Sequence, residues 1–260
     1  MLEFINLTTI PVFLLIFVRM LSFLVVMPLF SYRTVPVLFK VGFSFFLALS
    51  VFYTIDETTT SIINELYVLL LAKEALIGLL IGFIAYLVLS AVQIAGGFID
   101  FQMGFAIANV VDPQTGAQSP IIGQYFYIFA LLFLLSVNGH HLMIDGMFFS
   151  YQLIPLDSFI PIGDESIVKF IINTFNQMVI IAFQIAIPIV GALFLVDVAL
   201  GIIARTVPQV NVFVVGLPLK IFVSFVAILI FLTLYITLTK SLFDFMFQAI
   251  HRLLLLFGGA

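Results

Sequence analysis

Long, uninterrupted apolar runs follow one another along this chain, near residues 10–30, 37–55, 66–95, 121–138, 167–204 and 212–243. A helix needs about 20 consecutive apolar residues to cross the hydrocarbon of a bilayer, so the runs predict about six long hydrophobic helices. No water reaches the bilayer core, and only helices or closed barrels satisfy their own backbone N–H and C=O groups there. Barrel strands alternate apolar and polar residues with period two. These runs do not alternate, and the expected class is an all-α, polytopic membrane protein. Hydrophobic residues make up 64% of the 260 positions and charged residues 8%, against about 25% charged in soluble domains, which excludes a water-soluble fold. The third and fifth runs are longer than a span requires, because 30 helical residues reach about 45 Å. They must tilt, kink or project, and Pro188 is the expected kink in the fifth.

Several chemistries are excluded. With no Cys there is no disulfide, thiolate metal site or thiol nucleophile. The nine Lys and Arg are scattered singly, so no basic stripe exists for nucleic acid. No phosphate-cradling G-x-x-x-x-G-K-[ST], no H-E-x-x-H and no G-x-S-x-G occurs, so neither an enzyme nor a cofactor is expected. His140, His141 and Asp145 suit capping and loop-surface roles better than a metal site. The N-terminal region lacks a positively charged segment ahead of its apolar run and reads as a retained helix. Polar connections fall at Asp56-Glu57-Thr58-Thr59-Thr60-Ser61 and between Pro155 and Glu165. Arg33 in the first connection and Arg205 in the fifth would put those loops in the cytoplasm.

Ionisable residues inside apolar runs cost about 2.5–3.5 kcal/mol at mid-helix and call for a reason. Arg19, Lys40, Lys73, Glu74, Asp197 and Lys220 qualify, and interhelical pairing or snorkelling is the expected one. Asn173, Gln177 and Gln184 fall within about 40° of each other on a helix; such a stripe faces another helix or water, not lipid. Gly78 and Gly82 form a GxxxG spacing suited to close helix packing. From Lys240 onward, Lys240, Asp244, Gln248 and His251 recur among Phe243, Phe247 and Leu254, the pattern of an amphipathic tail lying in the interface or against a partner subunit. These polar residues and a broken segment also fit a secondary transporter for a small solute or ion.

The most unusual stretch is FQMGFAIANVVDPQTGAQSP, Phe101–Pro120. It follows Ala95-Gly96-Gly97 and Asp100, and its Asp112-Pro113, Gly116 and Pro120 cannot continue a helix smoothly. Non-helical backbone at membrane depth must be buried by protein or line a water-filled cavity. The residues alone leave two readings equal: a loop that enters or closes a pore, and an ordinary surface connection.

With these motifs in hand, the sequence resembles the FliR family of flagellar type III export proteins, whose injectisome relatives are called SctT. Arg19, Pro28, Phe30, Arg33, Pro36 and Lys40 match its opening helix and first connection. The Phe101–Pro120 block is the most specific, followed by Asn138-Gly139-His140. Ala199-Leu200-Gly201, Arg205, Pro208-Gln209, Asn211-Val212-Phe213, Gly216, Pro218 and Lys220 reproduce the late motif RTVPQVNVFVVGLPLK. The resemblance implies a core subunit of an export gate in the inner membrane, at the flagellar basal body. Its implied partners are FliP and FliQ homologues, an FlhB homologue and unfolded protein substrates. It implies a FliP-like part over 1–165, a FliQ-like hairpin over 166–243 and the tail from 240 to 260, with much of the complex raised out of the bilayer plane. It also implies a plug over about 104–119: Phe105, Ile107, Val110 and Val111 seal a pore by apolar contact, while Gly104, Asp112, Pro113 and Gly116 let the backbone fold into it. Arg19, Arg33, Asn138, Arg205, Pro208, Asn211, Gly216, Pro218 and Lys220 fall to assembly, with Pro208 and Pro218 setting turns.

Overall fold

A computed structural model of the chain describes residues 9–32, 34–54, 66–105, 120–158, 165–207, 209 and 211–258. Among them every regular element is helical: α1 (Ile10–Val26), α2 (Val37–Phe52), α3 (Tyr67–Met103), α4 (Ile121–Ser136), α5 (Gly139–Leu153), α6 (Glu165–Thr206) and α7 (Val212–Gly258). Pro11 sits in the first turn of α1, where its missing N–H is no loss. The helix stops at Met27, held extended (ψ 130°) ahead of Pro28. Aromatic rings join α1 to α2, with Phe13 edge-on to Phe45 at 5.3 Å and to Phe52 at 6.1 Å, which gives part of the Phe content a packing role.

Three helices, α3, α6 and α7, are long and apolar enough to cross a membrane, and α4 with α5 qualifies as a fourth span only if the pair is counted as one. The chain is thus an all-α polytopic membrane protein. The 42 residues of α6 and 47 of α7 extend about 60 and 70 Å at 1.5 Å per residue, well beyond the ~30 Å of hydrocarbon. Pro188 and Pro218 both lie inside continuous helices. The latter differs from the expected turn: Pro218 falls in the second turn of α7.

Helix boundaries differ from expectation in three further places. The run expected to end at residue 95 continues to Met103 through Gly96-Gly97. Residues 139–153 form α5, unforeseen because His140, His141, Asp145, Ser150 and Gln152 dilute its hydropathy below that of a span. The tail is not a separate helix, since α7 runs unbroken past Lys240. Its polar residues Lys240, Asp244, Gln248 and His251 are exposed as the amphipathic pattern requires, while Met246, Ala249, Ile250, Leu253, Leu254 and Phe257 are buried. That face packs inside the chain: Ile250 lies by Gly146, and Gly258 by the Leu153 backbone, both of α5.

The chain divides into two compact units that interleave in sequence: Met1–Val88, Val137–Thr174 and Phe245–Ala260 form the first, and Leu89–Ser136 with Phe175–Asp244 the second. In the first, α3 closes on α1 through Gly78, directly against the carbonyl of Arg19, and Gly82, against Phe23 and Val26. The GxxxG spacing thus serves close helix packing. In the second, α3 and α4 meet backbone to backbone at Gly96 and Gly123, so Gly96 is present for the approach and does not break the helix.

Candidate functional site

The first unit buries a cluster of charge. Arg19 and Glu74 are closed to solvent, and the guanidinium donates from Nε and Nη2 to both carboxylate oxygens, the latter at 2.9 Å. Nη1 donates to Ser150 Oγ at 3.1 Å and Nη2 also to the Ile154 carbonyl at 3.1 Å. The guanidinium carbon lies 4.1 Å from the centre of the Tyr151 ring, a cation–π contact, and the Tyr151 hydroxyl donates to the Ile16 carbonyl at 3.0 Å. Lys73 Nζ lies 2.7 Å from the same Glu74 and donates to the carbonyls of Pro155, Leu156 and Ser158, each at 3.0 Å.

Two cations therefore cap the C-terminal end of α5 and the turn after it, where carbonyls lack helical partners and the helix dipole is negative. One carboxylate serves both. With four acceptors around the three ammonium protons of Lys73, no donor of that group is left over, and the arrangement braces the fold. Of the charged residues that suggested a transporter, Arg19, Lys73 and Glu74 are paired with one another here.

The second unit holds a cleft of about 290 Å³ whose walls include Met103, Gly104, Asp197, Leu200, Gly216 and Lys220. Lys220 of α7 pairs with Asp197 of α6, and Gln102 of α3 donates from Nε2 to the other Asp197 oxygen at 2.8 Å. A single carboxylate thus ties three helices. Two residues on, Gly104 turns the chain out of α3 at φ +89°, a conformation few side-chain-bearing residues adopt; a Cβ there would also come within 3.3 Å of Leu217.

On the far side of the stretch opened by Gly104, the Ile122 N–H donates to the carboxylate of Asp100 at 3.0–3.2 Å, a negative group at the N-terminus of α4. Gly97 leaves room for Pro120 at ordinary contact distance. Both ends of residues 104–119 are consequently held by the last two turns of α3.

Of the residues singled out for a plug, Gly104 and half-buried Phe105 lie at the end of α3. Ile107, Val110, Val111, Asp112, Pro113 and Gly116 lie outside the described residues, as do Arg33 and Pro208. Asn138 takes the left-handed conformation, φ 57°, at the break between α4 and α5, which Asn tolerates better than most residues. Asn211 caps α7, its Oδ1 accepting the N–H of Phe213 at 3.2 Å and of Val214 at 3.4 Å. Arg205 is exposed in the last turn of α6. Gly216 is buried, with Leu200 Cδ1 3.0 Å from where its Cβ would be. Asp100, Gln102, Ser150 and Tyr151 were not foreseen as partners. Asp100 alone carried a signal, a carboxylate just before a helix break. Among the described residues no group of three or more His, Cys, Asp or Glu could hold a metal ion.

Over residues 10–246 the chain matches the family described as bacterial export proteins, family 1. It is 55% identical to the flagellar biosynthetic protein FliR of Bacillus subtilis (strain 168) over 249 residues, 95% of this chain and 96% of that one. It is 29% identical to FliR of Pectobacterium carotovorum subsp. carotovorum, covering 92% and 90%. Similarity extends to the Yop proteins translocation protein T of Yersinia pestis, at 31% identity over 78% of each chain.

Proposed function

The chain belongs to the FliR family of bacterial export proteins, and we propose that it is a core subunit of the flagellar type III protein export gate. Members of this family are export components and not enzymes; its apolar helices make the chain a membrane protein, and membership of the FliR family places it in the bacterial inner (cytoplasmic) membrane, at the flagellar basal body. In the proposed gate it forms, with FliP and FliQ homologues and beside an FlhB homologue, the conduit for unfolded export substrates. Residues 1–165 act as a FliP-like part and 166–243 as a FliQ-like hairpin followed by the tail. Helices of about 60–70 Å suit a subunit that rises out of the bilayer against its neighbours.

The observation that carries the reading is the stem at Gly104. A left-handed glycine, the Gln102–Asp197 bond and the Asp100–Ile122 bond hold both ends of the 104–119 stretch, as a plug needs if its tip is to be displaced and return. In this reading Phe105, Ile107, Val110 and Val111 seal the conduit, and Gly104, Asp112, Pro113 and Gly116 shape the loop. Arg19, Arg33, Asn138, Arg205, Pro208, Asn211, Gly216, Pro218 and Lys220 serve assembly.

Co-expression with FliP and FliQ homologues, mild extraction and native mass spectrometry test the assignment. A discrete hetero-oligomer containing all three supports it; a lone or homo-oligomeric chain beside folded partners overturns it. Deletion of residues 106–118 then leaves the complex assembled and leaky to small ions, and an assembled, ion-tight deletion variant removes the plug.

A further inference from the structure

Lys40 is buried, 8% exposed, and among the described residues its ammonium takes part in no ion pair and no side-chain hydrogen bond. The other buried charges are answered: Arg19, Lys73 and Glu74 by one another, and Asp100 by the Ile122 N–H. Lys40 stands in the first turn of α2. Side chains on a helix lean towards its N-terminus, so the lysine stem runs back over that turn. Pro36 at the N-cap offers no side-chain cap, which leaves first-turn N–H groups, at the positive end of the helix dipole, to an outside acceptor. A cation and the positive end of a helix thus share one spot, and an anion between them answers both.

The surroundings of this spot are apolar and open. Val37, Leu38 and Phe39 of the same turn are 74%, 82% and 52% exposed, and Val37, three positions before Lys40, is its neighbour on the helix surface. Phe30, Phe39 and Phe43 close on one another with ring centres 5.5–6.3 Å apart, which packs the connection from α1 against the first turn and fixes its shape. A small anion in water would meet the ammonium and leave the three apolar side chains wet. Hydrocarbon alone would cover those side chains and strand the charge. A molecule with an anionic head and an apolar tail satisfies both.

We propose that the first turn of α2 binds an anionic phospholipid of the phosphatidylglycerol class, its phosphate held between the Lys40 ammonium and the first-turn N–H groups and its acyl chains lying along Val37, Leu38 and Phe39. A zwitterionic phospholipid fits less well, because it brings a second ammonium beside Lys40. The site belongs to the chain itself and stands whether or not the reading of the chain as a gate subunit does.

The full chain, purified in mild detergent and stripped of lipid, is titrated with phosphatidylglycerol, with phosphatidylethanolamine and with inorganic phosphate. Native mass spectrometry counts the bound molecules, and size exclusion after heating follows thermal survival. The expected result is that phosphatidylglycerol binds and raises survival, while the other two bind at least about tenfold more weakly. Lys40→Gln lowers the affinity for phosphatidylglycerol at least about tenfold, Lys40→Arg keeps most of it, and Lys240→Gln, at an exposed lysine, leaves it unchanged. Val37→Asp sets a carboxylate beside Lys40 at an exposed position; it is expected to raise survival without lipid and to abolish the gain from phosphatidylglycerol, so the test does not hang on the folding of Lys40→Gln. A Lys40→Gln chain that binds phosphatidylglycerol like wild type, a Val37→Asp chain that still gains from it, equal binding of the two lipids, or inorganic phosphate that stabilises as well as the lipid each overturns the proposal. So does a carbodiimide cross-link from Lys40 to a partner carboxylate in the complex purified with FliP and FliQ homologues, which would assign the cation to a protein contact.

Discussion

Glu74, 55 positions after Arg19, accepts both arms of its guanidinium in a site closed to solvent. Each charge is tolerable there because the other is present. Removing one partner of such a pair costs about 3–5 kcal/mol, whereas replacing both by apolar residues of similar volume is often neutral. Glu74→Leu is therefore expected to lower the thermal survival of the detergent-extracted chain, followed by size exclusion after heating, by an amount in that range. Arg19→Met with Glu74→Leu recovers only part of the loss, because Lys73 keeps its three carbonyls but still lacks its counter-ion. A double variant as unstable as the single would show that the loss comes from the stranded Lys73 ammonium and the Arg19 bonds to α5 and not from the Arg19–Glu74 pair.

At Gly96 the neighbour is backbone. A Cβ would run into the Cα and N of Gly123, atoms that no rotamer change can move, so α3 and α4 would have to separate. Gly96→Ala is expected to destabilise by about 1–3 kcal/mol or more. Gly42 on α2 has nothing within 4 Å of its would-be Cβ, and Gly42→Ala is expected to stabilise by about 0.5–1 kcal/mol through the helix-interior cost of glycine. Thermal survival of the two variants checks both signs; equal behaviour would refute the close approach.

Asp100 acts on a helix 22 positions away. Its carboxylate takes the N–H of Ile122, in the first turn of α4, and complements the positive end of that helix. Asp100→Ala removes both contributions and is expected to cost about 0.5–2 kcal/mol, the range of an N-cap; Asp100→Asn keeps an acceptor and loses less. Hydrogen exchange at the Ile122 amide reads the effect locally, and an amide equally protected in Asp100→Ala would refute the cap.

What could be read from the sequence follows the range of the interactions involved. Gly78 and Gly82 announced close packing through a spacing local to one helix, and the exposed edge of the tail was visible as a period at Lys240, Asp244, Gln248 and His251. Partners were not visible. Arg19, Lys73 and Glu74 stood out as charges in apolar runs, yet nothing local to Arg19 points to Ser150 or to the carbonyls after α5. The tail's apolar face likewise gave no sign that it covers α5, itself hidden because a search for spans rejects a helix holding two His and an Asp. At Gly96-Gly97 two principles competed: glycine pairs usually mark breaks, and here the demand for a backbone contact at Gly123 prevailed.

The Asp197–Lys220 pair supports the sharpest prediction, because a carboxylate shared by three helices separates charge from shape. Its side chains are 35% and 22% exposed, so the pair should contribute more than the ~0.2–1 kcal/mol of a surface pair and less than the ~3–5 kcal/mol lost on breaking a buried one. Asp197→Ala leaves Lys220 without its counter-ion and Gln102 without its acceptor. Lys220→Met leaves Asp197 with Gln102 alone and is expected to cost less. In the exchange Asp197→Lys with Lys220→Asp, the ion pair re-forms with reversed sense. The Gln102 carboxamide can rotate to present its oxygen to the ammonium now on α6, so all three helices stay joined. A double-mutant cycle of Asp197→Lys, Lys220→Asp and the exchange on thermal survival is therefore expected to show positive coupling, with the exchange closer to wild type than Asp197→Ala. Because Gln102 lies two residues before Gly104, the same order should appear in the small-ion leak of the assembled complex, with Asp197→Ala the leakiest and the exchange near wild type. Additive stabilities would mean that the pair holds nothing together, and a leak indifferent to all three variants would detach the Asp197–Lys220 pair from control of the 104–119 stretch.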